Sequence, residues 1–108
     1  MQQPLEILFE DIEPSDAVRA RLQEEMDKLT QFNNHIASAR VVIAKPHHKH
    51  QRGNNYQVRI HINVPGKKDV IVNQDPGDMS AHDDAYVTIR DAFRAARRQL
   101  QDLNGREH

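Results

Sequence analysis

Hydrophobic residues along the first third of the chain predict a strand followed by a helix. Leu5, Ile7 and Phe9 alternate with polar residues, which is the period of a strand packed on one face, here over 4–10. From Ser15, a favourable N-cap residue, apolar side chains recur at three- and four-residue steps up to an Asn-Asn pair at 33–34. The apolar stripe of this helix consists of Val18, Leu22, Met26, Leu29 and Phe32.

The rest of the chain predicts three more strands and a second helix. A β-branched run at 39–45 indicates a second strand, and strict alternation at 54–64 indicates a third. A Val-Pro-Gly-Lys turn at 64–67 leads into a fourth strand at 69–73. The last helix follows a capping-box pair, Ser80 and Asp83, and ends near 104–105. Its apolar stripe contains Ala85, Ile89, Ala92 or Phe93, Ala96, Leu100 and Leu103.

The element order β-α-β-β-β-α predicts an α+β fold with two helices packed on one face of a four-stranded sheet. The third strand supports a sheet that is packed on one side only. Its apolar face holds Tyr56, Val58, Ile60, Ile62 and Val64, and its other face holds Gln57, Arg59, His61 and Asn63. A length of 108 residues suits one domain over 1–108.

Composition limits the covalent chemistry and the cellular location that we expect for the protein. The absence of cysteine excludes disulfides and thiolate metal sites. The N-terminal stretch has neither the basic start nor the apolar run of a signal peptide, and no apolar window is long enough to span a membrane. We therefore expect a cytoplasmic protein without membrane contact. We also expect it to be a monomer.

The formal net charge of −1 conceals an uneven distribution of charge. Residues 1–34 carry a net −5 and residues 69–108 a net −3, whereas residues 35–68 carry seven cations and no acid. Such asymmetry indicates a polyanionic partner, unless folding places the acidic segments beside the basic one and cancels its field.

Several predicted elements supply cations suited to phosphate. The arginines of the last helix follow one another at steps of four, three and one, which places most of them along one exposed stripe. The alternative is a solvated helix face with pairs such as Arg94–Asp91 or Arg98–Asp102. Charge and position along the chain suggest a set of candidate RNA-contacting residues. They are Arg90, Arg94, Arg97, Arg98, Arg59, Lys67, Lys68, Lys45, His47, His48, Lys49, His50 and Arg52.

The segment 44–55, with the sequence AKPHHKHQRGNN, also allows a metal site. His47, His48 and His50 are potential ligands, but the cations around them and the lack of any acid at 35–68 oppose a bound cation. We favour an RNA-facing loop. No glycine-rich phosphate loop, Rossmann fingerprint, zinc-protease motif or nucleophile elbow is present, so we expect no enzyme activity, no cofactor and no small-molecule substrate.

Three stretches resemble, in order and spacing, the ribosome hibernation-promoting and ribosome-associated inhibitor family. They are SDAVRARLQEEMDKLTQFNNHI, VPGK and DDAYVTIRDAFRAARRQL, and the resemblance covers nearly the whole chain. It implies a fold similar to double-stranded-RNA-binding domains. It also implies binding to rRNA of the small ribosomal subunit between head and body, over the tRNA and mRNA sites, which silences idle ribosomes under stress.

The resemblance assigns RNA contact to Arg19, Lys28 and Arg98, which match basic positions of the family. The sequence departs from the family at Glu25 and Ala95, where relatives usually carry a cation, and at 9–11, a commonly basic strand end. These departures should weaken contact through the helices. Two alternatives stay open, a general binder of structured RNA and a metal-responsive or protein-interaction module.

Overall fold

The computed structural model describes residues 5–33, 35–45, 56–75 and 85–105, and it has the predicted order of elements. Boundaries agree with the sequence prediction to within a few residues. The predicted cap of the second helix at Ser80 and Asp83 lies outside the described residues. The elements are β1 (Leu5–Glu10), α1 (Asp16–Phe32), β2 (Ser38–Ala44), β3 (Gln57–Asn63), β4 (Val70–Gln74) and α2 (Ala85–Gly105).

The four strands form one mixed sheet in the order β1-β2-β3-β4. β1 and β2 are parallel because α1 carries the chain back across the sheet between them, whereas β2, β3 and β4 are antiparallel neighbours. The register aligns apolar residues in rows across all four strands. The central row is Ile7, Val41, Ile60 and Val72.

Both helices cover the apolar face of the sheet, as predicted. α1 buries Val18, Leu22, Met26 and Leu29, and α2 buries Ile89, Ala92, Phe93, Ala96 and Leu100. The choice that the sequence left between Ala92 and Phe93 is resolved, since both are buried. Phe32 and Leu103 are only partly buried at the margin of this core. None of the described helices is long and apolar enough to cross a membrane.

Local signals in the sequence set the ends of α1 and the turn before β4. The Ser15 Oγ accepts a hydrogen bond from the Val18 N–H at 3.2 Å, which confirms the predicted N-cap. After β3, Gly66 adopts a φ of 78°, and the Lys67 N–H donates to the Val64 carbonyl at 3.0 Å. The turn therefore uses glycine where a positive φ is required.

The two helices run in the same direction side by side. Near their N-termini the Arg21 guanidinium lies over the Tyr86 ring, and further along Arg97 lies over Phe32. This arrangement leaves a channel between their solvent-facing sides.

Candidate nucleic-acid interface

The channel between α1 and α2 is a groove of about 310 Å³, which we call the helix groove. Five of its lining residues are cationic and one is acidic. It is lined by Arg21, Glu25, Lys28, Leu29, Arg90, Phe93, Arg94 and Arg97. Spacings of three and four residues place the polar members of each helix on the side that faces the other helix.

The α2 wall of the helix groove presents cations with few internal partners. In the described part of the chain, no carboxylate lies within 4.0 Å of Arg94 or Arg97. Arg90 reaches Asp91 only at 3.5 Å. The guanidinium of Arg97 is held instead by the Phe32 ring, 4.5 Å from its centroid. The α2 wall can therefore offer N–H donors to the oxygens of a bound phosphate.

The α1 wall differs because it contains a carboxylate. Glu25 Oε2 lies 3.0 Å from Arg21 Nε and 4.0 Å from Lys28 Nζ. The Glu25 side chain is 12% exposed, whereas that of Lys28 is 73% exposed. The cations on this side of the groove are partly neutralised before any ligand arrives.

The open face of the sheet is charge-balanced. Arg59 Nη2 lies 2.6 Å from Glu10 Oε1, and Arg40 Nε lies 2.8 Å from Glu6 Oε1. The sequence correctly placed Arg59 on this face, but its carboxylate partner comes from a strand 49 residues away in sequence. The cation is therefore already paired on the sheet surface.

The same face carries a polar cluster around Asp69. His61 Nε2 is hydrogen-bonded to Asp69 Oδ2 at 2.8 Å, and Asn63 Nδ2 donates to Asp69 Oδ1 at 3.1 Å. These hydrogen bonds, the one with His61 above all, hold the pKa of the Asp69 carboxyl below its ordinary value of 3.8. Together with Glu6 and Arg40 the cluster lines a shallow depression of about 600 Å³. It contains both acids and bases, so it lacks the uniformly positive lining of a phosphate site.

The structure separates the three residues that the family resemblance singled out. Lys28 lines the helix groove. Arg19 lies on the other flank of α1, with its guanidinium 5.0 Å from the centroid of the Phe9 ring in β1. Arg98 is exposed and turned by about 100° from Arg97 around the helix axis. It therefore lies on the solvent-facing side of α2 and does not line the groove.

The other predicted cations lie at opposite ends of the sheet. Lys45 is exposed directly after β2, where the segment 46–55 begins. Lys67 and Lys68 follow β3 at the other end, and Lys68 borders a small depression that also contains Asp69 and Asp102. The remaining candidates are His47, His48, Lys49, His50 and Arg52, which lie outside the described residues. Among the described residues, no group of three or more potential metal ligands is present.

The sequence prediction missed one groove residue, Arg21. It precedes Lys28 by seven residues, which is two helical turns, so the spacing already places the two cations on the same face of α1. In the structure it forms an ion pair with Glu25 at the i, i+4 spacing.

Residues 5–108 match the sequence profile described as sigma 54 modulation protein / S30EA ribosomal protein. The chain belongs to this family. The match to the S30EA family confirms the resemblance seen in the sequence, and it includes both helices and all four strands. No curated protein sequence matches this S30EA-family chain significantly.

Solved structures share the fold of this S30EA-family chain. One is a ribosomal subunit interface protein from Coxiella burnetii, with a TM-score of 0.76 and 12% identity over 96% of this chain and all of the other. Another is the N-terminal domain of Protein Y from Thermus thermophilus, with a TM-score of 0.67 and 18% identity over 94% of this chain and 98% of the other. At these identities the likeness is one of fold.

Proposed function

We propose that the chain is a ribosome-associated translation inhibitor that binds rRNA of the small subunit through the helix groove. It acts in the cytoplasm as a monomer under stress. It inhibits translation without catalysis, by covering the tRNA and mRNA sites at which codons are decoded. The observation that carries the proposal is the convergence of five cations on one groove in a chain of the S30EA family. The structural likeness to a ribosomal subunit interface protein supports the same assignment.

The physical basis is recognition of the RNA backbone. Folded rRNA presents dense phosphates, and each cation that neutralises a phosphate releases counterions and thereby favours binding. Arg94 and Arg97 are suited to this because arginine can donate two parallel hydrogen bonds to one phosphate. Such contacts position the protein without reading base sequence, which is sufficient for a protein that acts by occupying space.

The remaining predicted cations enter the proposal with different weights. Lys28 lines the groove itself, and Arg98 extends the positive surface beside it. Lys45 leads into the basic segment 46–55. Arg59 contributes less, because a phosphate would have to displace Glu10 from it.

Sedimentation of the purified protein with small subunits, large subunits and a free RNA duplex tests the proposal. At about 50 to 100 mM salt the protein should sediment with small subunits and dissociate as salt is raised. Protein that stays at the top of the gradient with both subunits contradicts ribosome association. Equal affinity for the free duplex and the small subunit would instead identify a general binder of structured RNA.

A further inference from the structure

The helix groove contains a carboxylate among the cations that would bind phosphate. We infer that Glu25 sets the affinity of the groove by holding Arg21 and Lys28, so that RNA phosphate must compete with it for these two cations. This inference rests on the proposed function, because it assumes that the groove is the RNA-binding surface. It assigns a role to a residue that does not itself bind phosphate.

The geometry distinguishes Glu25 from the other acids of α1. One oxygen, Oε2, lies 3.0 Å from Arg21 and 4.0 Å from Lys28, and the side chain is largely buried between the helices. Asp27 instead accepts a hydrogen bond from the Gln23 amide at 2.9 Å, away from the groove lining. Glu24 is exposed and turned by about 100° from Glu25 around the helix axis. Among the described residues, Glu25 is the acid that lines the groove.

This placement makes the two walls of the groove unequal toward an anion. In the described part of the chain, Arg94 and Arg97 on α2 have no carboxylate to exchange, so a phosphate can bind them directly. On α1 a phosphate binds Arg21 only by replacing Glu25, which lies 3.0 Å from it, whereas the more exposed Lys28, 4.0 Å from Glu25, is only partly neutralised. In both cases the nearby carboxylate repels the phosphate at short range. The groove therefore binds RNA more weakly than its cations alone would allow, and the bound state dissociates more readily. Weak, salt-sensitive binding suits a protein that must leave the ribosome when translation resumes.

The test compares Glu25→Gln with Glu24→Gln. Both substitutions remove one negative charge from neighbouring positions of α1, and both keep the shape of the side chain. Binding to small subunits should tighten about two- to fivefold in E25Q, the range typical of an exposed to partly buried ion pair, and stay nearly unchanged in E24Q. The slope of log affinity against log salt should steepen in E25Q by about 0.7 to 0.9 for each additional phosphate neutralised.

A second variant separates competition from a structural role. If E25Q frees Arg21 for phosphate, then Arg21→Ala in the E25Q background should remove most of the gain in affinity. E25Q that binds no more tightly than E24Q, or more weakly than the wild type, overturns the inference while the wild type still binds subunits. A wild-type protein that binds no subunits overturns the proposed function itself, so the two failures are distinguishable.

Discussion

The guanidinium group of Arg97 in α2 lies over the aromatic ring of Phe32 in α1, with Cζ 4.5 Å from the ring centroid. The interaction joins the two walls of the helix groove at the C-terminal end of α1. A ring orients the cation without neutralising it, whereas a carboxylate would neutralise it. Arg97 is thus held in place with its charge available to a ligand, which reduces the entropy lost when a phosphate binds.

Replacing Phe32 with leucine should reduce the free energy of RNA binding by more than it reduces the free energy of unfolding. Leucine keeps an apolar side chain at the margin of the core but removes the face on which Arg97 lies. A cation–π interaction of about 0.5 to 1 kcal/mol corresponds to a loss of affinity of about two- to fivefold. Titration of small subunits measures this loss, and denaturant unfolding measures the change in stability.

Phe9→Leu is the matched control, because Arg19 lies over the Phe9 ring at 5.0 Å on the flank of α1 outside the groove. F9L should reduce subunit affinity less than F32L does, because Arg19 lies outside the helix groove. Equal losses in the two variants would show that the Phe32 ring has no special part in binding.

The Asp69 cluster predicts a pH-dependent contribution to stability at acidic pH. The pKa of Asp69 is lowered in the folded protein, chiefly by the hydrogen bond with His61. A lowered folded-state pKa means that the contribution is present above the unfolded value of 3.8 and is lost as pH falls through the lower folded value. The difference in unfolding free energy between wild type and Asp69→Asn should therefore shrink as pH is lowered below 3.8.

Urea unfolding of both proteins over about pH 5 to pH 2 measures this difference. In a His61→Gln background the pH-dependent part should become smaller, since the largest cause of the pKa shift is then altered. A difference that is constant with pH would contradict the assignment.

Gln99 of α2 protects the open edge of β4. Its side-chain Nε2 donates to the Ile71 carbonyl at 2.9 Å, and its Oε1 accepts from the Ile71 N–H at 3.4 Å. One amide thus satisfies both backbone groups that would otherwise point away from the sheet. Ile71 is 57% exposed, so an unprotected edge here would present apolar surface and free hydrogen-bonding groups together.

Gln99→Met should therefore accelerate amide hydrogen exchange at Ile71 by about two- to tenfold, corresponding to a net hydrogen bond of about 0.5 to 1.5 kcal/mol. Gln101→Met, at an exposed position of the same helix, should leave this rate unchanged. Protection that is the same in all three proteins would mean that the Gln99 side chain contributes nothing to the edge.

The fold followed from the sequence because its signals are local. The alternation from Tyr56 to Val64, the Ser15 cap and the turn at Gly66 each depend on residues close to one another in the chain. Each signal indicated the same layered arrangement, in which apolar faces of strands and helices meet. Consistency of this kind across local signals is typical of sequences that specify one fold.

The pairing of charges on the surface could not be predicted from the sequence, because it depends on residues that are distant in the chain. Arg59 was predicted as an RNA-contacting cation on the open face of the sheet. In the structure, Glu10 forms an ion pair with it across the sheet. The opposite net charges of adjacent segments left cancellation open as an alternative, but only the strand order determines which side chains meet. The helix groove likewise depends on the parallel packing of α1 and α2, which brings Lys28 toward Arg94 and Arg97.

Two charge-matched double variants distinguish the helix groove from the open sheet face as the RNA-binding surface. Arg94→Gln/Arg97→Gln removes two cations from the groove, and Arg40→Gln/Arg59→Gln removes two from the sheet, so the change in net charge is identical. Affinity for small subunits is measured for both variants and the wild type across a range of salt concentrations. The groove variant should bind more weakly, and its salt slope should fall by about 0.7 to 0.9 for each phosphate that is no longer neutralised, while the sheet variant stays close to the wild type. Equal weakening in the two variants, or greater weakening in the sheet variant, would contradict RNA binding through the helix groove.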